Sequence, residues 1–347
     1  MLEVLFAPDW RSGNPYQTLL AKALRHQGVN VRFLEGYKRI LPLSRLLATQ
    51  RCDVLHLHWP EAYFGGRHDA LDWFRGARFP VDLAGATKRC LLVTTAHNFQ
   101  VHNRANEAFT AKNIKCVHTK AAVVFAHSAI AKQQLVEALA LPVEKVRVIP
   151  HGDLCEVLSA PVPASMAREE LGLGPGKIAL VFGTVEPYKG LEEIIAWWQR
   201  AKPDVRLAII GKPMTPEYGS QIGLQIGDSR NIIHRFEWLP DELLRLWLSA
   251  AAVTIFNYRH IFTSGAANLA RSFGIPILLP KRLDTVVLGE PTPYVRRFTN
   301  FATDFAEQLT AALAVQPDFA AASSWREASS WDTVARLTAD GYRDALG

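Results

Sequence analysis

Residues 182–190, FGTVEPYKG, have the makings of a phosphate site. The apolar run 178–181 before them reads as a buried parallel strand, and 191–198 after them reads as the start of a helix. A strand that turns through glycine into a helix leaves backbone N–H groups unpaired at the positive end of a helix dipole, which suits an anion. Lys189 adds a full positive charge there. The same nonapeptide also fits an ordinary strand-to-helix turn with a solvated lysine. Other polar groups gather where apolar runs stop: His56, His58 and Trp59, then His97 and Asn98, His127 and Ser128, and His151.

These residues need a scaffold of strands. Apolar runs at 2–7, 29–34, 54–57, 91–95, 123–126 and 146–149 alternate with helical patterns, and a glycine-bearing loop with Asp9 and Gly13 comes after the first. After a stretch thinned by Pro161, Pro163, Gly172, Gly174, Pro175 and Gly176, the alternation restarts at 178–182, 207–210, 232–236, 253–256 and 275–279. Beyond 303 the pattern is helical, over 305–314 and again over 333–345. Repeated strand–helix order implies an α/β fold of two doubly wound, Rossmann-like domains, with ligands at the carboxyl ends of the strands and a cleft between the domains. The expected division is 1–155, 156–325 and a terminal helix over 326–347.

Composition agrees with a folded protein. A chain of 347 residues, 49% hydrophobic, suits two cores. Four cysteines without ligand spacing point to reduced thiols in a cytosolic setting and suggest neither a zinc site nor a disulfide framework. No secretion signal or transmembrane run is expected. Charge is lopsided: residues 1–155 hold 20 Lys+Arg against 12 Asp+Glu, net +8, whereas 156–347 hold 19 against 21, net −2. The first half thus suits an anionic partner such as lipid headgroups, phosphate or an acidic sugar. Nucleic acid is not indicated, since zinc-finger spacing, an RNP signature and a compact basic helix are all missing from the sequence. No strand leads into G-x-G-x-x-G, which argues against a dinucleotide oxidoreductase. A non-catalytic nucleotide- or sugar-binding protein stays open on composition alone.

Five segments in order resemble the glycosyltransferases of GT-B architecture. FGTVEPYKG resembles their donor-phosphate turn, and Arg235-Phe236-Glu237-Trp238-Leu239-Pro240-Asp241-Glu242-Leu243 their base-pocket segment. Phe273-Gly274-Ile275-Pro276 resembles the turn bordering the donor site, Val148-Ile149-Pro150-His151-Gly152 the interdomain turn, and Thr94-Thr95-Ala96-His97-Asn98 the strand end facing the acceptor. With His56-Leu57-His58-Trp59-Pro60 and the Thr263-Ser264-Gly265 loop, the pattern is similar to the membrane-associated β-mannosyltransferases of xanthan- and acetan-type exopolysaccharide assembly. That resemblance implies a peripheral enzyme of the bacterial inner membrane. It would move mannose from GDP-mannose to a glucuronic acid at the tip of a diphosphate-lipid-linked oligosaccharide. It also implies that the terminal helix crosses back onto the first domain. The alternatives are a UDP-sugar donor and a soluble acceptor.

The implied donor site comprises Gly13, Gly183, Thr184, Lys189, Gly190, Lys212, Glu237, Tyr258, Thr263, Ser264 and Gly265. The sequence departs from the paired glutamates of many retaining members, whose matching positions are Ile261 and Leu269. An inverting reaction is expected instead, with a base among Asp9, Glu61 and His97, of which Asp9 is preferred for its place beside the glycine loop. His97 alternatively touches the donor sugar, and Thr263 and Ser264 alternatively only cap a helix. No Asp-x-Asp pair is available to hold a divalent ion, so metal-independent transfer without a resident cofactor is expected. For the membrane surface the candidates are 37–47 and the run containing Arg67, Trp73, Phe74, Arg75 and Arg78, where aromatic residues interleave with cations. The same aromatics equally suit a helix packed on the core.

Overall fold

A computed structural model of the chain describes residues 1–35, 40–64, 69–98, 107–283 and 294–347. They form two compact units, 1–152 with 328–347, and 153–327. The division therefore falls at 152/153 where 155/156 was expected, and the terminal segment joins the first unit from 328.

The first unit contains β1 (Leu2–Ala7), β2 (Val29–Phe33), β3 (Val54–His58), β4 (Leu91–Thr95), β5 (Val123–Ala126) and β6 (Val146–Val148). All pair in parallel, in the order β2-β1-β3-β4-β5-β6. Every residue of β3 is buried, as a strand covered on both faces requires. Side chains alternate along a strand, so His56 and His58 share one face. There the terminal helix Trp331–Leu346, packed along the Tyr16–His26 helix, brings Tyr342 OH to 2.5 Å from His56 Nδ1. The chain leaves β1 towards β2 on one side and returns to β3 on the other. The carboxyl ends of β1 and β3 thus form a switch point, where neighbouring loops diverge and leave room for a ligand.

The second unit contains β7 (Ile178–Phe182), β8 (Arg206–Ile210), β9 (Ile232–Arg235), β10 (Val253–Ile255), β11 (Ile277–Pro280) and β12 (Val295–Phe298), again parallel, in the order β12-β11-β10-β7-β8-β9. Its switch point lies between β7 and β10. Five strands were expected here; β12 is the sixth. Its sequence, VRRF, puts two arginines at its centre, which an edge strand tolerates and an apolar-run search overlooks. The helix Leu191–Ala201 comes directly after the phosphate-type turn. Leu191, Ile194, Ile195 and Trp198 bury one face at helical spacing, and Glu192 and Glu193 complement the dipole in its first turn. Trp198 Nε1 donates to Val205 O at 3.0 Å, so the indole is buried with its polar atom satisfied.

Candidate active site

The second unit's chemistry sits at the carboxyl ends of β7, β8 and β10. A cavity of about 390 Å³ is lined by Gly183, Thr184, Lys212, Glu237, Trp238 and Leu239, among others. Four of the expected donor residues therefore meet in one place, Gly183, Thr184, Lys212 and Glu237. Val185 N–H donates to Lys212 O and Met214 N–H to Val185 O, both at 2.9 Å, so the two loops forming one wall are clamped together. A Cβ at Gly211 would overlap the Gly183 carbonyl, which explains a glycine on the floor.

Lys189 lies beside this cavity, only 5% exposed, with its Nζ donating to Phe182 O at 3.1 Å. The ammonium is 5.7 Å from the centre of the Tyr258 ring. Burial lowers the Lys189 pKa to about 8, although the Glu186 carboxylate pulls the other way. Gly190 has φ +61, and a Cβ there would stand 2.7 Å from Asn257 O. This close approach joins the two sides of the switch point: Asn257 Nδ2 donates to Gly190 O at 3.0 Å and to Glu193 Oε2 at 2.8 Å. Asn257 was not among the expected site residues, because its role depends on a strand that is distant in sequence.

Around β10, Tyr258 is buried beneath Lys189 and packs against Tyr188. Its phenol pKa is raised by burial first. Ser264 Oγ accepts from Ala267 N–H at 3.1 Å, making it the cap of the Gly265–Ser272 helix. The same hydroxyl also hydrogen-bonds the Tyr258 phenol, while Thr263 and Gly265 stand half-buried on either side. Gly13 belongs to the first unit and lines no part of the cavity; its N–H closes a turn onto Trp10 O at 3.0 Å.

In the first unit, Asp9 differs from the base expected of it. Arg11 Nε donates to Asp9 Oδ1 at 2.9 Å and Arg11 Nη2 to Oδ2 at 2.8 Å, while Arg11 N–H also reaches Oδ1 at 3.1 Å. The guanidinium holds the Asp9 pKa below its ordinary value, so both oxygens are occupied and basicity is reduced. Glu61 is a better-placed carboxylate. It opens the short Glu61–Phe64 helix, is 8% exposed, and accepts from Asn98 Nδ2 at 2.8 Å across the β3–β4 carboxyl ends.

Histidines fill the space behind it. His127 Nδ1 lies 3.3 Å from Ile149 O, His127 Nε2 lies 3.3 Å from His97 Nδ1, and His97 Nε2 lies 3.1 Å from His58 Nδ1. A carbonyl only accepts, so His127 carries its proton on Nδ1; each next ring must then donate from Nδ1 in turn. This leaves His58 Nε2 as the bare end of the chain, buried and without a hydrogen-bond partner. All three rings are neutral, as burial holding their pKa values down requires. Among the described residues, no group of three or more His, Cys, Asp or Glu is arranged to hold a metal ion. His97 therefore spends both nitrogens on neighbouring rings, and its face supports Trp59, stacked at 3.7 Å and 11°. Trp59 has φ +48, a strained conformation for a bulky side chain, at the end of β3. The edge of Tyr16 packs against His58, Trp59, His97, His127 and His151.

The expected membrane surface divides in two. Trp73 and Phe74 are 61% and 51% exposed on the Asp69–Ala86 helix, with Arg75 and Arg78 half-buried beside them. Tyr63, Phe64 and Phe79 instead pack together in the core. Arg67 and residues 37–39 lie outside the described residues. Leu43 and Leu47 of the 37–47 segment face inward, on a helix whose first N–H groups are held by the buried Asp82: Leu43 N–H at 3.0 Å and Ser44 N–H at 2.8 Å. Among the described residues no helix is long and apolar enough to cross a membrane.

Two parallel α/β units with switch-point sites define the GT-B glycosyltransferase architecture, and solved structures of that architecture match almost the whole chain. One is Alr3699/HepE from Anabaena in complex with UDP and glucose, with a TM-score of 0.70 at 14% identity over 99% of this chain and 100% of that one. Another is sucrose-phosphate synthase (tll1590) from Thermosynechococcus elongatus, with a TM-score of 0.73 at 16% identity over 99% of each. In sequence, the chain is similar to the GDP-mannose:glycolipid 4-beta-D-mannosyltransferase of Xanthomonas campestris pv. campestris, 24% identical over 301 residues, 83% of this chain and 76% of that protein. No family model matches. Fold and sequence similarity together support a glycosyltransferase, and the mannosyltransferase resemblance read from the motifs holds.

Proposed function

We propose that this chain transfers mannose from GDP-mannose to the glucuronic acid tip of a diphosphate-lipid-linked oligosaccharide, in exopolysaccharide assembly at the cytoplasmic face of the bacterial inner membrane. The observation that carries this reading is the 390 Å³ cavity at the carboxyl ends of β7 and β8, bordered by Gly183, Thr184, Lys212 and Glu237, with the buried Lys189 at its edge. The volume suits a nucleoside. The nature of the nucleoside and sugar rests on similarity to the Xanthomonas enzyme.

In this reading the base and ribose occupy the cavity, with Glu237 and Lys212 near the ribose. The diphosphate lies over the 183–190 turn and the start of the Gly265–Ser272 helix. As the sugar–phosphate bond breaks, negative charge grows on the leaving diphosphate. Lys189 and the N–H groups around Gly190 neutralise it, and no divalent ion is required. Transfer inverts the anomeric centre. Glu61 removes the acceptor hydroxyl proton, since Arg11 holds down the basicity of Asp9 and His97 spends both nitrogens on neighbouring rings. The exposed Trp73 and Phe74, with the nearby arginines, rest on an anionic membrane that delivers the lipid-linked acceptor.

The test is titration calorimetry with GDP, UDP and NADH in EDTA, then turnover of GDP-mannose with a glucuronate-tipped lipid acceptor. Tight GDP binding and transfer support the proposal. UDP binding alone would keep a transferase and replace the donor, while NADH alone, or no nucleotide, would overturn the phosphate-site argument.

A further inference from the structure

Sugar transfer leaves two thiols unused, at the opposite, amino-terminal edge of the first unit's sheet. Cys52 stands two residues before β3 and Cys90 one residue before β4. These strands are parallel neighbours with Val54 opposite Leu91, and Leu91 N–H donates to Asp53 O at 2.9 Å. Cys90 therefore stands beside Asp53, and Cys52 is one residue further along the adjacent chain. With strands about 4.8 Å apart and a rise of about 3.3 Å per residue, this diagonal step separates the Cα atoms by about 6 Å. Disulfides span about 4.4–6.8 Å between Cα atoms.

Regular alternation would send the two side chains to opposite faces, but the chain bends at Asp53. Both cysteines consequently line one cavity of about 650 Å³, together with Arg51, Lys88 and Arg89. Cys52 is buried, Cys90 is half-exposed, and both are free thiols. Cys90 draws Cys52 below the ordinary thiol range, with Arg32 adding to the effect, while Cys52 pushes Cys90 up. Each sulfur also lies on a backbone carbonyl, Cys52 Sγ 3.0 Å from Val54 O and Cys90 Sγ 3.6 Å from Ala86 O, so two thiols on adjacent strands share one cavity, where one can attack an oxidant and the other resolve it.

We propose that Cys52 and Cys90 are a modification site, forming a reversible intramolecular disulfide on reaction with a hydroperoxide. The Cys52 thiolate attacks the peroxide, the O–O bond breaks, and the alcohol, or water from hydrogen peroxide, leaves. The Cys90 sulfur then attacks the resulting sulfenic acid, the S–O bond breaks, and water leaves. Two thiols are oxidised by two electrons in total and one peroxide is reduced. The two thiol protons end in the leaving alcohol and water. Cys116 and Cys155 lie elsewhere in the chain and provide internal controls.

The experiment uses the full, reduced chain and one equivalent of hydrogen peroxide, with thiols counted and peptides mapped without reduction. Free thiols should fall from four to two, with a Cys52–Cys90 cross-linked peptide in monomeric protein, and dithiothreitol should restore all four. Cys52→Ser and Cys90→Ser should each abolish that peptide. Four thiols persisting in the protein, while the same peroxide oxidises a small dithiol in a parallel tube, would overturn the proposal. So would a disulfide between chains, or one through Cys116 or Cys155. Because the readout is sulfur chemistry in wild-type protein, it is independent of sugar transfer and of whether either variant folds.

Discussion

Replacing Lys189 by methionine should strengthen the empty protein and weaken its hold on nucleotide. Burial takes this ammonium from its ordinary 10.5 to about 8, a difference of about 3 kcal/mol against the charged form. The hydrogen bond to Phe182 O returns about 1 kcal/mol. An apolar side chain of similar length escapes the first term and forgoes the second, for a net gain of roughly 2 kcal/mol, or about 5 °C in the melting midpoint. The same change removes charge-assisted hydrogen bonds to the diphosphate, worth about 1.5–3 kcal/mol, so GDP should bind roughly 10- to 150-fold more weakly. A second signature is pH. In the wild type a bound diphosphate needs the ammonium, so affinity should fall about tenfold from pH 7 to pH 9 as Lys189 loses its proton near pH 8; the methionine variant should show no such slope. Calorimetry across this range and a thermal scan read both effects. Equal GDP affinity in the two proteins, with no pH slope in the wild type, would refute the assignment of Lys189 to phosphate.

The geometry sets three further outcomes. Gly190→Ala puts a Cβ into Asn257 at a left-handed position, and a urea titration should show a loss of roughly 2–3 kcal/mol, with nucleotide binding impaired in whatever remains folded. Histidines 56, 58, 97, 118, 127 and 151 have folded pKa values below 6.5, so the unfolded chain binds more protons beneath that pH. Each costs about 1.4 kcal/mol per pH unit, and circular dichroism should show the first unit unfolding by about pH 5 while it is intact at pH 7. Reversing Arg75 and Arg78 to glutamate, with Trp73→Ser, should reduce sedimentation with anionic liposomes at least several-fold and leave GDP affinity alone; undiminished liposome binding would place the membrane contact elsewhere.

Legibility from sequence tracked burial. The strands Val123–Ala126 and Ile178–Phe182 are uninterrupted apolar runs, and their bounds match the sequence reading because a doubly covered strand has no polar face to confuse the signal. The edge strand Val295–Phe298, with its two arginines, has no such signature. The donor-side residues were legible for a topological reason: Gly183, Thr184, Lys212 and Glu237 each come shortly after a strand, and a parallel sheet gathers the loops leaving its strands at one edge. Side-chain pairings were not legible. Asp9 stands where a base belongs, but only the folded chain shows Arg11, two residues on, bonding to both its oxygens. Likewise Ser264 could be read as phosphate ligand or helix cap, and only the folded chain shows its oxygen accepting from Ala267 N–H.

The excess charge of the first half gains meaning from the state of its histidines. The net +8 over residues 1–155 counts only Lys and Arg against Asp and Glu, and the buried histidines stay neutral at pH 7, adding nothing to it. Attraction of this half to an anionic partner therefore comes mainly from Lys and Arg, and the buried histidines add no pH dependence to it between pH 6 and 8. It should weaken with salt, whose screening length is about 10 Å at 0.1 M, and change little with pH across that window. Nucleotide binding should do the reverse, because its cation is buried where salt screens poorly and titrates near pH 8. Liposome and GDP titrations on a grid of salt and pH would separate the two. If both responses moved together, one anion site would have to account for both ligands, and assigning phosphate to the second unit and lipid to the first would fail.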